Sequence, residues 1–130
     1  ARLGSQVVTA PPGSPPRRVA DAMRANPTWV AGTDRDSAAL MGGVPGLLAK
    51  EGAEGVYLVA LADGRSLALK ISDGADRARA PIAAAILAHL GVEADVVTTQ
   101  RTTAVLGGSR PVGTLRAVLD DDAEPGGPAH

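Results

Sequence analysis

The chain has 130 residues, of which 45% are hydrophobic, and its formal net charge is −1. This length fits one domain with a core of its own. The nearly balanced charge argues against a polyanion-binding protein, so no nucleic-acid partner is predicted. The sequence contains no cysteine, which excludes disulfides and thiolate metal sites, and no apolar run approaches the roughly 18 residues of a membrane span. We therefore expect a soluble cytoplasmic domain without a membrane partner.

The two ends of the chain differ from its middle in composition. Proline, glycine and serine dominate residues 9–16, a composition that suits neither a helix nor a central strand. We therefore predict a flexible linker over residues 1–16. Residues 120–130 are acidic and rich in glycine and proline, which predicts a disordered acidic tail. The domain itself is expected over residues 17–119.

Residues 47–71 read as three short strands. Between residues 56 and 61 both alternating sets of positions are largely apolar, so this strand should be central and covered on both faces. The Asp63-Gly64 pair suits the positive φ of a hairpin turn between two antiparallel strands. This region therefore predicts an antiparallel sheet.

The clearest helix lies over residues 76–90, with Asp76 as a candidate N-cap. Its apolar spacing predicts packing on the sheet through Ile82, Ile86 and Leu90. One more strand is predicted over residues 111–119. The fold class that follows is α+β, an antiparallel sheet with a packed C-terminal helix.

Lys50 is the residue on which the functional reading depends, because it stands where an apolar strand meets glycines. An ammonium at such a strand end can point into a cleft, where burial and neighbouring groups tune it for proton transfer. The alternative is an ordinary solvated lysine at a strand end. No serine is followed three residues later by lysine, so a serine nucleophile of that type is not predicted in this chain.

Several segments, in order and with similar spacing, resemble a bacterial asparaginase family of the asparaginase II-like kind. Those segments are residues 18–27, 30–32, 48–56, 69–74 and 111–116, with Asp36 between them. The resemblance implies the fold of the penicillin-recognising serine enzymes and glutaminases, here its C-terminal part only. It also implies hydrolysis of the side-chain amide of L-asparagine, or of a related small amide, to the acid and ammonia.

The resemblance also implies roles for individual residues. Lys50 matches the family's second catalytic lysine, on an edge strand that lines the active site. Gly52 would let the substrate approach the strand backbone, and Glu51 would join it in binding substrate. A lysine beside a serine hydroxyl can accept its proton when burial lowers the affinity of the amine for protons.

The chain departs from the family pattern in two respects. The Ser-x-x-Lys nucleophile motif belongs to the family's first half, which this sequence does not contain. The cysteine-rich segment and the zinc ligands of some members are also missing, and the two histidines, at positions 89 and 130, form no metal constellation. We therefore predict no cofactor and no metal on this chain.

Two hypotheses remain open. The first is the C-terminal portion of an asparaginase-like amidohydrolase, inactive alone and completed by the missing N-terminal half. The second is a non-catalytic small α+β domain that binds a partner, or a second copy of itself, through an open sheet edge.

Overall fold

The computed structural model describes residues 1–119, and the predicted acidic tail over residues 120–130 lies outside them. The fold is α+β with antiparallel sheets, as predicted. None of the helices in residues 1–119 combines the length and the apolar character needed to cross a membrane. In chain order the elements are α1 (Arg2–Val8), α2 (Pro15–Ala25), α3 (Pro27–Ala31), α4 (Asp36–Gly43), β1 (Leu48–Gly52), β2 (Val56–Ala60), β3 (Ser66–Lys70), a 3-10 turn (Asp76–Ala78), α5 (Arg79–His89), α6 (Asp95–Gln100), β4 (Thr102–Gly107) and β5 (Arg110–Arg116).

The strands β1, β2 and β3 form an antiparallel sheet in that order, which confirms the three strands predicted between residues 47 and 71. Because successive side chains alternate between faces, Tyr57 and Val59 are buried on one face and Ala60 on the other. The predicted Asp63-Gly64 turn joins β2 to β3, with Gly64 at φ 91°. The central position predicted for residues 56–61 is confirmed for β2.

The predicted flexible linker over residues 1–16 is wrong for its first part, which forms α1. Val8 is buried in the core, and α1 packs on β2 and β3. A Cβ on Gly4 would lie 2.9 Å from Leu58 Cδ2, so glycine allows the helix to approach the sheet closely. A helix of 7 residues is unstable in isolation. Packing on the sheet stabilises it, and composition does not reveal that packing.

Helix α5 packs on the sheet face that carries Tyr57, mainly through side chains other than those predicted from spacing. Ile86 and Leu90 are half-buried and pack against the core, whereas Ile82 is half-buried without joining it, so the predicted face is confirmed only in part. The predicted N-cap, Asp76, is wrong. Residues 76–78 form the 3-10 turn, and no side chain caps the first residue of that turn or of α5 by a hydrogen bond. The helix is apolar nearly all round, so spacing does not single out one face. The buried face includes the small side chains of Ala83 and Ala84, which permit close approach, and the larger Leu87.

The strands β4 and β5 form a separate antiparallel hairpin that contacts α5. The predicted strand over residues 111–119 is confirmed as β5, although it ends at Arg116, and its partner β4 was not predicted. Val105, Leu106 and Val112 are exposed on the hairpin. Among residues 1–119, no further strand pairs with either edge of it.

Candidate active site

Lys50 is the middle residue of β1, the strand at one edge of the three-stranded sheet, and not the strand-end residue that the sequence suggested. Its side chain is exposed, and Nζ donates a hydrogen bond to the backbone carbonyl of Glu51 at 3.0 Å. An ammonium has three N–H donors, so two remain for another group. Within residues 1–119, no carboxylate is within ion-pair distance of Lys50. Lys50 is therefore exposed beside α1, which packs on its cross-strand neighbour Leu58, and it is not in a surface ion pair.

Gly52 and Lys70 lie at the two ends of a cross-strand row on the same face as Lys50. Lys70 Nζ donates to the backbone carbonyls of Glu54 at 2.5 Å and of Ile71 at 2.9 Å. The two ammonium groups on this face therefore differ. That of Lys70 is held between two turns, whereas that of Lys50 has most of its donors free.

Glu51 projects from the opposite face of β1. Its side chain is 12% exposed, and the Ser37 hydroxyl donates to one carboxylate oxygen. Arg35 Nε donates to the other oxygen at 3.3 Å. The structure thus brings Lys50 and Gly52 together on one face but not the Glu51 side chain. Only the backbone carbonyl of Glu51 lies beside the Lys50 ammonium.

A set of ion pairs surrounds Arg79, whose side chain is 4% exposed. Its guanidinium donates to both carboxylate oxygens of Asp36, at 2.9 and 2.7 Å, and to Asp76 at 2.9 Å. Arg35 connects Asp76, at 3.5 Å, to Glu51. The hydrogen bonds to Asp36 raise the pKa of Arg79. We call this set the ion-pair ring, with members Arg35, Asp36, Ser37, Glu51, Asp76 and Arg79.

Tyr57 is buried next to the ion-pair ring, as the cross-strand neighbour of Glu51. The Arg79 guanidinium lies 5.3 Å from the centroid of its aromatic ring, a cation–π distance. Burial, followed by the negative charge of Asp36, raises the pKa of Tyr57, so its hydroxyl stays protonated. The Tyr57 hydroxyl makes no hydrogen bond to any group of the described chain.

A shallow groove of about 380 Å³ lies between the end of β3, the start of α5 and β5. Lys70, Asp73 and Arg77 line it together with the apolar Leu115. The Asp73 carboxylate accepts a hydrogen bond from the Ala75 backbone N–H and pairs with Arg77. Both contacts lower the pKa of Asp73, and the bond from Ala75 has the larger effect. Asp73 therefore lines the groove and also accepts a hydrogen bond within its own turn.

Sequence reasoning missed Ser37, Tyr57 and Arg79. The Arg79–Asp36 pair joins residues 43 positions apart, and no local pattern encodes such a pair. One signal was present, because Arg79 stands at the start of an almost entirely apolar helix. An arginine in that setting needs a carboxylate partner if it is buried.

The described residues do not fit the zinc ion that the resemblance associates with some members. Within residues 1–119, no group of three His, Cys, Asp or Glu side chains is placed to hold a metal. The carboxylates of the ion-pair ring already accept hydrogen bonds from Arg35, Ser37 and Arg79.

The family model described as L-asparaginase II matches residues 1–117. The match includes α1, the segment whose composition suggested a linker, and continues through β5. No curated protein sequence matches this chain.

Proposed function

This chain belongs to the L-asparaginase II family, and from that premise we propose that it takes part in hydrolysing L-asparagine to L-aspartate and ammonia in the cytoplasm. The observation that supports this most is the family match over residues 1–117 combined with an accessible Lys50 on an edge strand. L-Asparagine or a related small amide is the proposed substrate.

Lys50 is the proposed catalytic base. Its neutral amine accepts the proton of a serine hydroxyl, and the serine oxygen bonds to the side-chain amide carbon of the substrate. The C–N bond then breaks, and the leaving nitrogen takes up the proton and departs as ammonia. Water hydrolyses the acyl-serine to L-aspartate. An amine can act in this way once a closed cleft lowers its pKa by burial.

The serine of this scheme comes from another segment or chain, because no serine here stands in a Ser-x-x-Lys motif. We propose that this partner covers the exposed Lys50 and Gly52, on the part of their sheet face that α1 does not cover. Gly52 has no side chain to obstruct a small substrate at the strand, and the Glu51 backbone carbonyl lies next to the Lys50 ammonium. Substrate contact by Glu51 is therefore assigned to its main chain.

The 130-residue chain alone should release no ammonia from L-asparagine above the buffer rate. It lacks the nucleophile, and an isolated lysine in water lacks the positioning that gives an enzyme its rate. Ammonia is measured by a coupled assay, with an active asparaginase added at the end to verify detection. Ammonia release by the purified chain that disappears in Lys50→Ala would contradict this expectation.

A second candidate function is self-association through an open sheet, and the β4–β5 hairpin favours it. Its two strands expose Val105, Leu106 and Val112. Two-stranded hairpins are at best marginally stable in water, and exposed edges are templates for further pairing. A second copy of the chain is the proposed occupant.

If this candidate is right, the purified chain should elute as a dimer, and Leu106→Lys should convert it to a monomer. The matched control is Val118→Lys, which charges an equally exposed residue outside the hairpin and should leave the dimer intact. Light scattering coupled to size exclusion gives the mass. A monomer at every concentration measured would eliminate this candidate.

A further inference from the structure

Lys50 and Glu51 are neighbours whose side chains leave β1 on opposite faces. We propose that Glu51 is a positioning residue: its carboxylate attaches β1 to the first turn of α4 and so determines where Lys50 stands on the other face. This inference rests on the proposed function of Lys50. It concerns a side chain that the family resemblance would place against substrate.

Glu51 has this effect because β1 has a hydrogen-bonded neighbouring strand on one side only, although α2, α3 and α4 also pack on it. In residues 1–119, β1 pairs only with β2, and its other edge forms no ladder. The strand is 5 residues long and ends at Gly52, just before the turn to β2. The Glu51 carboxylate adds a second attachment at this end, through Ser37 and Arg35.

The attachment point on α4 is itself fixed. Ser37 is fully buried, and its neighbour Asp36 is held by two hydrogen bonds from Arg79 of α5. Arg35 is shared between Glu51 and Asp76, the residue that also accepts from Arg79. A shift of β1 would therefore have to break charge-assisted hydrogen bonds to groups that are themselves bonded to other parts of the chain.

The burial of Glu51 gives this attachment its strength. With its side chain 12% exposed, the carboxylate exchanges little with water, so its bonds to Ser37 and Arg35 are not easily replaced by solvent. An exposed glutamate would exchange protein partners for water at little cost. The position of Lys50 is thus set from the sheet face opposite to its own, where a substrate bound beside Lys50 does not interfere.

The first test uses the 130-residue chain and hydrogen exchange of its backbone amides. In Glu51→Ala the protection of β1 should fall roughly 10- to 100-fold. The protection of β3 should change much less, because its side chains hydrogen-bond to Ala1, Glu54 and Ile71 and not to the ion-pair ring. Ser37→Ala should reproduce this pattern, and Glu51→Gln, which retains an acceptor oxygen, should give an intermediate loss. The control is Glu93→Ala, an exposed glutamate between α5 and α6.

The second test uses the chain assembled with its serine-bearing partner. Glu51→Ala should lower kcat by about 10- to 100-fold with little change in KM, because the base is misplaced and the substrate contacts remain. An unchanged kcat with a raised KM would overturn the proposal, since the side chain would then bind substrate. Equal loss of protection in β1 and β3 would overturn it too, as Glu51 would then act only on overall stability. If no assembly hydrolyses asparagine, the proposed function fails, and the exchange experiment still decides whether Glu51 positions β1.

Discussion

Replacing Arg79 by alanine will lower the free energy of unfolding by about 3–5 kcal/mol, the usual cost of leaving one member of a buried ion pair without its partner. Asp36, whose side chain is 14% exposed, loses both of its arginine hydrogen bonds. Tyr57 loses the cation over its ring. Such a loss is a large fraction of the 5–15 kcal/mol that stabilises a typical domain. Urea unfolding followed by circular dichroism measures it.

The matched control is Arg77→Ala. Arg77 also pairs with an aspartate, Asp73, but the two side chains are 61% and 49% exposed, so the change should stay within about 0.5 kcal/mol. Replacing both members of the buried pair, as Arg79→Met with Asp36→Leu, should recover part of the loss because no uncompensated charge remains. If Arg79→Ala destabilises the chain no more than Arg77→Ala, the ion-pair ring does not stabilise the fold.

In an assembly that hydrolyses asparagine, Lys50→Ala will lower turnover by about 10²- to 10⁴-fold, the contribution of a positioned acid–base group. Stability should change little, because the Lys50 side chain is exposed and its single recorded bond goes to a backbone carbonyl. Steady-state kinetics and urea unfolding of the same preparation separate the two effects.

Lys70→Ala is the matched control on the same sheet face. It removes bonds to two carbonyls, so it should lower stability by about 1 kcal/mol and leave most of the turnover. Similar losses of turnover for the two variants, or a normal rate in Lys50→Ala, would mean that Lys50 is an ordinary solvated lysine.

The sheet could be predicted from the sequence because its signals are local. A continuous apolar run identifies β2, and Asp63-Gly64 identifies the turn that follows it. Each of these inferences needs only neighbouring residues.

The parts that escaped prediction depend on contacts between distant segments. Helix α1 forms because Gly4 allows it to lie close to Leu58, 54 positions away in the sequence. The inner face of α5 is chosen by the fit of Ala83 and Ala84, small residues that carry little hydrophobic signal. The ion-pair ring joins α4, β1 and α5, and no spacing rule connects those three elements.

Lys70 Nζ donates hydrogen bonds to two backbone carbonyls, those of Glu54 and Ile71. Lys50 and Lys70 are the chain's two lysines, so it offers two side-chain amines with very different availability. Acylating reagents need a free amine, and the Lys70 amine is already occupied by main-chain oxygens. Chemical labelling should thus favour Lys50, which provides a selective attachment point for a fluorophore or cross-linker on the face where a serine-bearing partner would bind.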